Sequence, residues 1–411
     1  MHKDSQVITL GCRLNFWESD KINSIIKRMD KKNLVVFNTC SVTNEAVKNA
    51  KKYIKSFHKI NPEVKIAVTG CAVESDLDIF KNMNEVSFIV SNKNKLSEDK
   101  WDIVKKSVKN KSLDPLNFNI SIKENPSNSN IRKFIRVQSG CDHSCTFCII
   151  PKCRGESKSD SIERVNEEIS KNLKNGVKEI ILTGVDLTSW TDNKYKSSKL
   201  GDLLDNIFKK NSSLFRLRLS SIDAAEIDDK LLYLVKNEPR LMPHFHFSLQ
   251  SLDDLILKRM KRRHNVGQII NLFDIIRQAR PHVTFGADFI CGFPTESDSM
   301  FFNTIKNVKK LNITHLHVFP YSSKHGTPAS RMPQVDLYKR RKRAKILREL
   351  GKKNYVGLLK KEIKYKHNIL IETFNGIGKT ENNIKVKVKS SKKGDLIKTK
   401  LSGFNDDFLI L

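Results

Sequence analysis

The sequence predicts an α/β protein in three parts. These are an N-terminal parallel α/β domain over residues 1–107, a central incomplete (β/α)6 barrel over 131–357 and a small β domain over 358–411, with a linker at 108–130. Three patterns predict it. Continuous apolar strand segments alternate with helical ones in the first part, as in a parallel sheet covered on both faces. The same alternation recurs through six units between 131 and 357. Beyond 358 the helical period gives way to apolar residues alternating with lysine at period two.

In the first part, VITLGC, VVFNTC and KIAVTGC read as strands ending on Cys12, Cys40 and Cys71. SFIVSN is a fourth strand without a cysteine, and Glu45–Lys59 is one of the intervening helices. Ligands of such sheets bind beyond the carboxyl ends of the strands, where all three cysteines stand. KENPSNSN, with Pro126 and no periodicity, is loop. The barrel strands are FIRVQSGC, EIILTG, FRLRLSS, HFHFSLQS, VTFGADFI and THLHVFPY. Between them Ile162, Val165, Ile169 and Leu173 share a helical face, Asp160 and Glu163 are spaced as a capping box, and Gly176 is a stop signal. Active sites in barrels of this kind collect at the strand carboxyl ends. The last part reads as short strands: HNILIETF, IKVKVKS, DLIKTKLSGF and DFLIL. Lys385, Lys387 and Lys389 would share its solvent face. GIGKT at 376–380 is not a phosphate loop, because Thr373 stands where that motif needs glycine.

The net charge is +30, from 75 Lys+Arg against 45 Asp+Glu. A polyanionic partner such as RNA and a solvated lysine surface both account for it. No apolar run reaches the length of a membrane span, and the N-terminus lacks a signal-peptide core. The expected location is cytoplasmic, where the eight cysteines stay reduced and serve metal binding or catalysis.

GCDHSCTFC sets Cys141, Cys145 and Cys148 in one short loop after a strand. Three thiolates there can converge on one metal centre. A cubane iron–sulfur cluster normally takes four, so three leave one iron open. That iron can take the amino and carboxylate groups of S-adenosylmethionine, and electron transfer then yields an adenosyl radical. The alternatives are zinc with His143 as fourth ligand, or chance clustering; zinc sites usually use two separated ligand pairs. Cys12, Cys40 and Cys71 are each either buried small hydrophobes or ligands, and their shared edge favours the second. Cys291 reads as core, and Cys153 is assigned no role. Gly292, Phe293 and Pro294 would turn the backbone near the cofactor, and Gly184 is placed similarly. Ser248 and Gln250 face the barrel interior, as contacts or as filling. Arg154 could pair with a carboxylate or phosphate.

The cysteine loop resembles that of the radical S-adenosylmethionine superfamily, and FCIIPKCRG resembles the FCIIP-x-x-RG segment of its methylthiotransferases. LTGVDL, LRLSSID, FHFSLQS, GADFICGFPTES and FPYSSKHGTPA are similar to the same group, so the resemblance covers nearly the whole chain. It implies two [4Fe-4S] clusters. One, on Cys141, Cys145 and Cys148, is catalytic and cleaves S-adenosylmethionine. The other, on Cys12, Cys40 and Cys71 through TLGC, NTC and TGC, carries the sulfur to be inserted. The resemblance implies that one S-adenosylmethionine methylates this sulfur and that a second supplies the radical that activates an inert C–H bond. It also implies a low-potential electron donor, a sulfur donor and no obligate protein partner.

Three substrate branches exist in that family. GCRLNFWES at 11–19 resembles the GCR-[LV]-N-x-x-E-S form of the threonylcarbamoyladenosine branch. The isopentenyladenosine branch has GCQMN, and the branch acting on a ribosomal-protein aspartate has GCPKN. Arg13 and Leu14 therefore point to threonylcarbamoyladenosine at position 37 of the tRNA anticodon loop, converted to its 2-methylthio form. The last part resembles the RNA-binding TRAM barrel. The threonylcarbamoyl carboxylate calls for a cationic or multi-donor partner. Arg13 is a candidate for it, or else pairs with Glu18. The other two branches, and a non-catalytic iron–sulfur RNA-binding protein, remain alternative readings.

Overall fold

The computed structural model describes residues 5–29, 33–106, 131–389, 391–405 and 407–411. The expected linker at 108–130 lies outside them. The chain divides into two compact units: the N-terminal residues with 140–143 and 148–156, and 129–139 with 144–147 and 157–411.

In the first unit, β1 (Gln6–Thr9), β2 (Leu34–Thr39), β3 (Lys65–Gly70) and β4 (Phe88–Ile89) lie side by side in chain order, all parallel. Val35 and Phe37 of β2 pack on Val47, Ala50, Ile54 and Phe57 of helix Asn44–Ile60. Leu34 and Val36 pack on Ile22, Ile25 and Ile26 of helix Arg13–Arg28. Both faces are covered, which is why the strands are apolar without alternation. Thr43 starts helix Asn44–Ile60 by accepting from the Ala46 N–H at 3.1 Å.

In the second unit, β5 (Arg132–Arg136) is followed by a two-strand ribbon, β6 (Gln138–Ser139) and β7 (Lys158–Ser159). The barrel continues with β8 (Glu179–Thr183), β9 (Leu217–Leu219), β10 (Ser221–Ile222), β11 (His244–Gln250), β12 (Thr284–Cys291) and β13 (His315–Pro320). β5, β8 and β9 are parallel neighbours, as are β10 to β13. β9 and β10 are two halves of one strand about Ser220, so six strand positions form the expected incomplete (β/α)6 barrel. Phe245, Phe247 and Leu249 of β11, and Phe285, Ala287, Phe289 and Cys291 of β12, pack in the large core. The alternate residues, among them His246, Ser248 and Asp288, face the barrel interior.

One cap differs from expectation. Helix Ile162–Lys174 starts at Ser161, which accepts from the Arg164 N–H at 3.3 Å. Asp160 is instead held by the Arg136 guanidinium at 2.9 Å and by Arg164. Val165 and Ile169 are buried, and Gly176 (φ +81°) follows the helix as expected.

The C-terminal sheet holds β14 (Lys366–Ile371), β15 (Ile377–Lys379), β16 (Lys385–Lys387), β17 (Leu396–Lys400), β18 (Gly403–Phe404) and β19 (Leu409–Ile410), in the order β17-β14-β15-β16-β19-β18. GIGKT is therefore largely a strand. Ile384, Val386 and Val388 are buried, while Lys385 and Lys389 are exposed and Lys387 half-buried. The sheet is fastened to the amino-terminal ends of the barrel strands. Glu179 pairs with Arg132, Arg216 and Arg218 at 2.6, 2.9 and 2.9 Å. These arginines reach on to the Glu372 carboxylate and to the carbonyls of Asn368, Thr380 and Glu381. The Thr284 hydroxyl donates to the Asn382 carbonyl at 2.6 Å. That end is closed, and the carboxyl ends are left for chemistry.

Candidate metal centres

Cys40 and Cys71 follow β2 and β3 directly, and Cys12 follows β1 after Leu10 and Gly11. The glycines before two of them make the approach. A Cβ on Gly11 (φ +135°) would lie 2.7 Å from the Cys40 Cβ, and one on Gly70 (φ +100°) would lie 2.3 Å from the Thr39 carbonyl oxygen. Cys12 is exposed, whereas Cys40 and Cys71 are buried. Burial pushes the Cys40 thiol up to about 12, and Cys12 and Cys71 nearby add to the shift. Three crowded thiols become thiolates together only if positive charge arrives with them, as a metal group brings it. The donor set fits an iron–sulfur cluster held by three cysteines.

Positive charge is also built in. Arg154 donates to the Glu18 carboxylate at 2.7 Å and to the Asn15 Oδ1 at 2.8 Å. Lys95 donates to the other Glu18 oxygen at 2.5 Å. All three charged side chains are at most 4 % exposed, so two buried cations share one buried anion. Asn15 also accepts from the Cys12 thiol at 3.6 Å, which ties this network to the cysteine edge. Cys153 is buried against Cys71 and Ile149, 3.5 Å from the Ser41 hydroxyl. Asn92 donates to the Cys153 carbonyl at 2.8 Å and to the Cys71 sulfur at 4.0 Å. Glu18 is thus the partner of Arg154 and Lys95.

Burial opposes charge on Glu18, but Lys95 and Arg154 outweigh it and hold the carboxyl at about 2, against 4.5 when unfolded. A depressed carboxylate stabilises the fold above its unfolded pKa, and this contribution is lost as pH falls from about 4.5 towards 2. Glu18→Gln would leave two buried cations without an anion, at a cost of about 3–5 kcal/mol near pH 7. Near pH 2 the difference from wild type should largely vanish. Urea unfolding followed by tryptophan fluorescence at both pH values checks this, since Trp17 is buried beside Glu18.

Cys141, Cys145 and Cys148 lie within eight residues of chain and are all half-buried. Gly140 (φ +77°) starts the loop, and a Cβ there would sit 1.8 Å from the Glu156 carbonyl oxygen. The Cys141 N–H donates to the Gly155 carbonyl at 3.1 Å. The Cys148 sulfur accepts from the Ile150 N–H at 3.5 Å, at the start of helix Ile150–Arg154. The Cys145 segment packs with the barrel. The Thr146 N–H donates to the Met260 carbonyl, and Phe147 packs on a cluster that includes Phe293 of the Gly292–Pro294 turn. Arg262 donates to the Cys145 sulfur at 3.5 Å, to Asp223 at 2.8 Å and to the Ser248 carbonyl at 2.8 Å. Half-buried thiols backed by hydrogen-bond donors fit a cluster that must stay open to a cofactor. Gly184 approaches Gln138, whose Oε1 accepts from the Val185 and Asp186 N–H groups. Asp223 closes the LRLSSID segment, whereas Lys95, Asn92 and Arg262 carry no motif in the sequence.

An incomplete barrel with three cysteines in the loop after β6, at the carboxyl side, defines a radical S-adenosylmethionine protein. Residues 135–308 match the radical SAM superfamily, and residues 5–91 match a family described as uncharacterized protein family UPF0004. The chain is 42 % identical to "Threonylcarbamoyladenosine tRNA methylthiotransferase MtaB" of Rickettsia prowazekii, across 98 % of this chain and 96 % of that one. It is 31 % identical to the protein of the same name from Thermotoga maritima, across 90 % and 87 %. It is also 31 % identical to "tRNA-2-methylthio-N(6)-dimethylallyladenosine synthase" of Endomicrobium trichonymphae, across 84 % and 83 %. The chain therefore belongs to the methylthiotransferase family of radical SAM proteins. Among solved structures, the radical S-adenosylmethionine methyltransferase TsrM from Kitasatospora setae superimposes with a TM-score of 0.57 over 80 % of this chain and 77 % of that one. At 10 % identity this is a likeness of fold alone.

Proposed function

We propose that this chain is the enzyme that methylthiolates the adenine of N6-threonylcarbamoyladenosine at position 37 of tRNA. The observation that carries the reading is the 42 % identity over nearly the full length to a relative of that name. Cys141, Cys145 and Cys148 hold the cluster whose bound form supplies the electron that cleaves S-adenosylmethionine. Cys12, Cys40 and Cys71 hold the second cluster, the one that supplies the sulfur. Arg262 positions Cys145, while Arg154 and Lys95 offset the negative charge gathered at the N-terminal cysteines. A radical route suits the substrate, because the adenine C2–H is neither acidic nor easily oxidised. Turnover needs a low-potential electron donor and a sulfur donor.

The C-terminal sheet meets the tRNA backbone through Lys385, Lys387 and Lys389. If all three contact phosphates, their joint neutralisation should flatten the slope of log affinity against log salt by about 0.7 per contact on single-stranded RNA. Filter binding over a salt series measures it, and an unchanged slope returns these lysines to an ordinary solvated face. The substrate is tested by giving the purified, cluster-loaded enzyme two tRNAs, one carrying threonylcarbamoyladenosine and one isopentenyladenosine. Methylthiolation of the first is expected. Methylthiolation of only the second, or of neither, would contradict the reading.

A further inference from the structure

The barrel interior holds a second group of chemistry-bearing residues, one layer below Ser248 of β11. The His246 Nε2 lies 3.0 Å, and the His317 Nδ1 3.2 Å, from the Asp288 Oδ1. The Ser221 hydroxyl donates to the Asp288 Oδ2 at 3.3 Å. The two imidazole rings lie 4.5 Å apart. His246 is buried, Asp288 is 24 % exposed and His317 is 57 % exposed. The seat is built for His246: a Cβ on Gly286 would come within 2.4 Å of its Nδ1. Burial opposes charge on Asp288, but the two imidazoles outweigh it and hold the carboxyl well below the usual carboxylate range.

Its place in the barrel limits what it can do. Beneath it, His244 bonds Thr284 at 2.8 Å, and Thr284 is sealed by the Asn382 carbonyl, so the layer below is a floor. Above it on the same face of β11 stands Ser248, two residues and about 7 Å further along the strand. Ser248 is joined through Arg262 to the Cys145 sulfur. A base entering from the carboxyl ends would thus have Cys145 above it and this layer beneath it.

We propose that His246, Asp288 and His317 form the subsite that receives the N6 substituent of the substrate adenine, accepting a polar, anionic substituent and rejecting an apolar one. The inference rests on the function proposed above and deepens it. An ionised Asp288 bonded to two imidazoles must keep polar company when a ligand displaces water from it. A threonylcarbamoyl group provides that company: its N–H groups can donate to Asp288, and its carboxylate can accept from the His317 ring. An isopentenyl group offers neither, so it would strip water from a charged layer without replacing it. Two imidazoles and a carboxylate are also a metal-ligand set, and the experiment separates that occupant.

The test uses cluster-loaded full-length enzyme and two variants, His317→Phe and Asp288→Asn, with threonylcarbamoyl- and isopentenyl-bearing tRNAs. Wild type should favour the first in kcat/KM by about ten-fold or more, and each variant should lose most of that preference. The loss should fall mainly on KM for the threonylcarbamoyl tRNA, with iron content matching wild type. An unchanged preference in both variants, or a change confined to kcat, would overturn the proposal. So would the disappearance of one equivalent of a non-cluster metal, which would make the layer a metal site. A wild-type enzyme that fails to modify the threonylcarbamoyl tRNA would overturn the underlying function instead, before any variant is compared.

Discussion

Replacing any one of Cys141, Cys145 and Cys148 by Ala is expected to take 5′-deoxyadenosine formation to background, in reactions with dithionite and S-adenosylmethionine. The loop supplies three thiols, one fewer than the four that normally hold a cubane. The open iron needed by the cofactor leaves no ligand to spare. Losing one thiol leaves two, and the nearby His143 offers an imidazole rather than a thiolate. Arg262, 3.5 Å from the Cys145 sulfur, can only donate. Wild-type turnover in any of the three variants would remove this loop from the reaction.

The second large effect separates the two cysteine sets. A Cys12→Ala, Cys40→Ala, Cys71→Ala variant should fall from about eight to about four iron atoms per chain, still form 5′-deoxyadenosine and insert no sulfur. The reason is structural. These cysteines sit at the ends of β1, β2 and β3, in a sheet with its own two apolar layers, whereas Cys145 is held by Arg262 of the barrel unit. The layers lie between sheet and helices and do not depend on the thiols at the edge. Iron content equal to wild type would make the three cysteines core residues after all.

The strands and the cysteine positions were legible because both depend on local pattern. VVFNTC is apolar along its whole length because helices cover both faces of β2, and the cysteine then falls at the carboxyl edge by register alone. The partners of those cysteines were not legible. Lys95 meets Glu18 from 77 positions away, and Arg154 meets it from 136 positions away. Nothing around Lys95 distinguishes it from the other lysines of a highly basic chain. The same holds for Glu179, whose three arginines come from β5, β9 and the residue before β9 and reach on to the C-terminal sheet. β15 was missed because it is three residues long with a glycine at its centre, too short for alternation to show. The helix cap was displaced by one residue because Asp160, the better-looking candidate, is held by two arginines.

This chain is proposed to add a methylthio group to threonylcarbamoyladenosine in tRNA. Mass analysis of nucleosides from the tRNA of cells lacking the protein tests it most directly. In such cells 2-methylthio-threonylcarbamoyladenosine is expected to disappear while threonylcarbamoyladenosine accumulates in its place. Unchanged levels of the methylthiolated nucleoside, with or without loss of the isopentenyl counterpart, would contradict it.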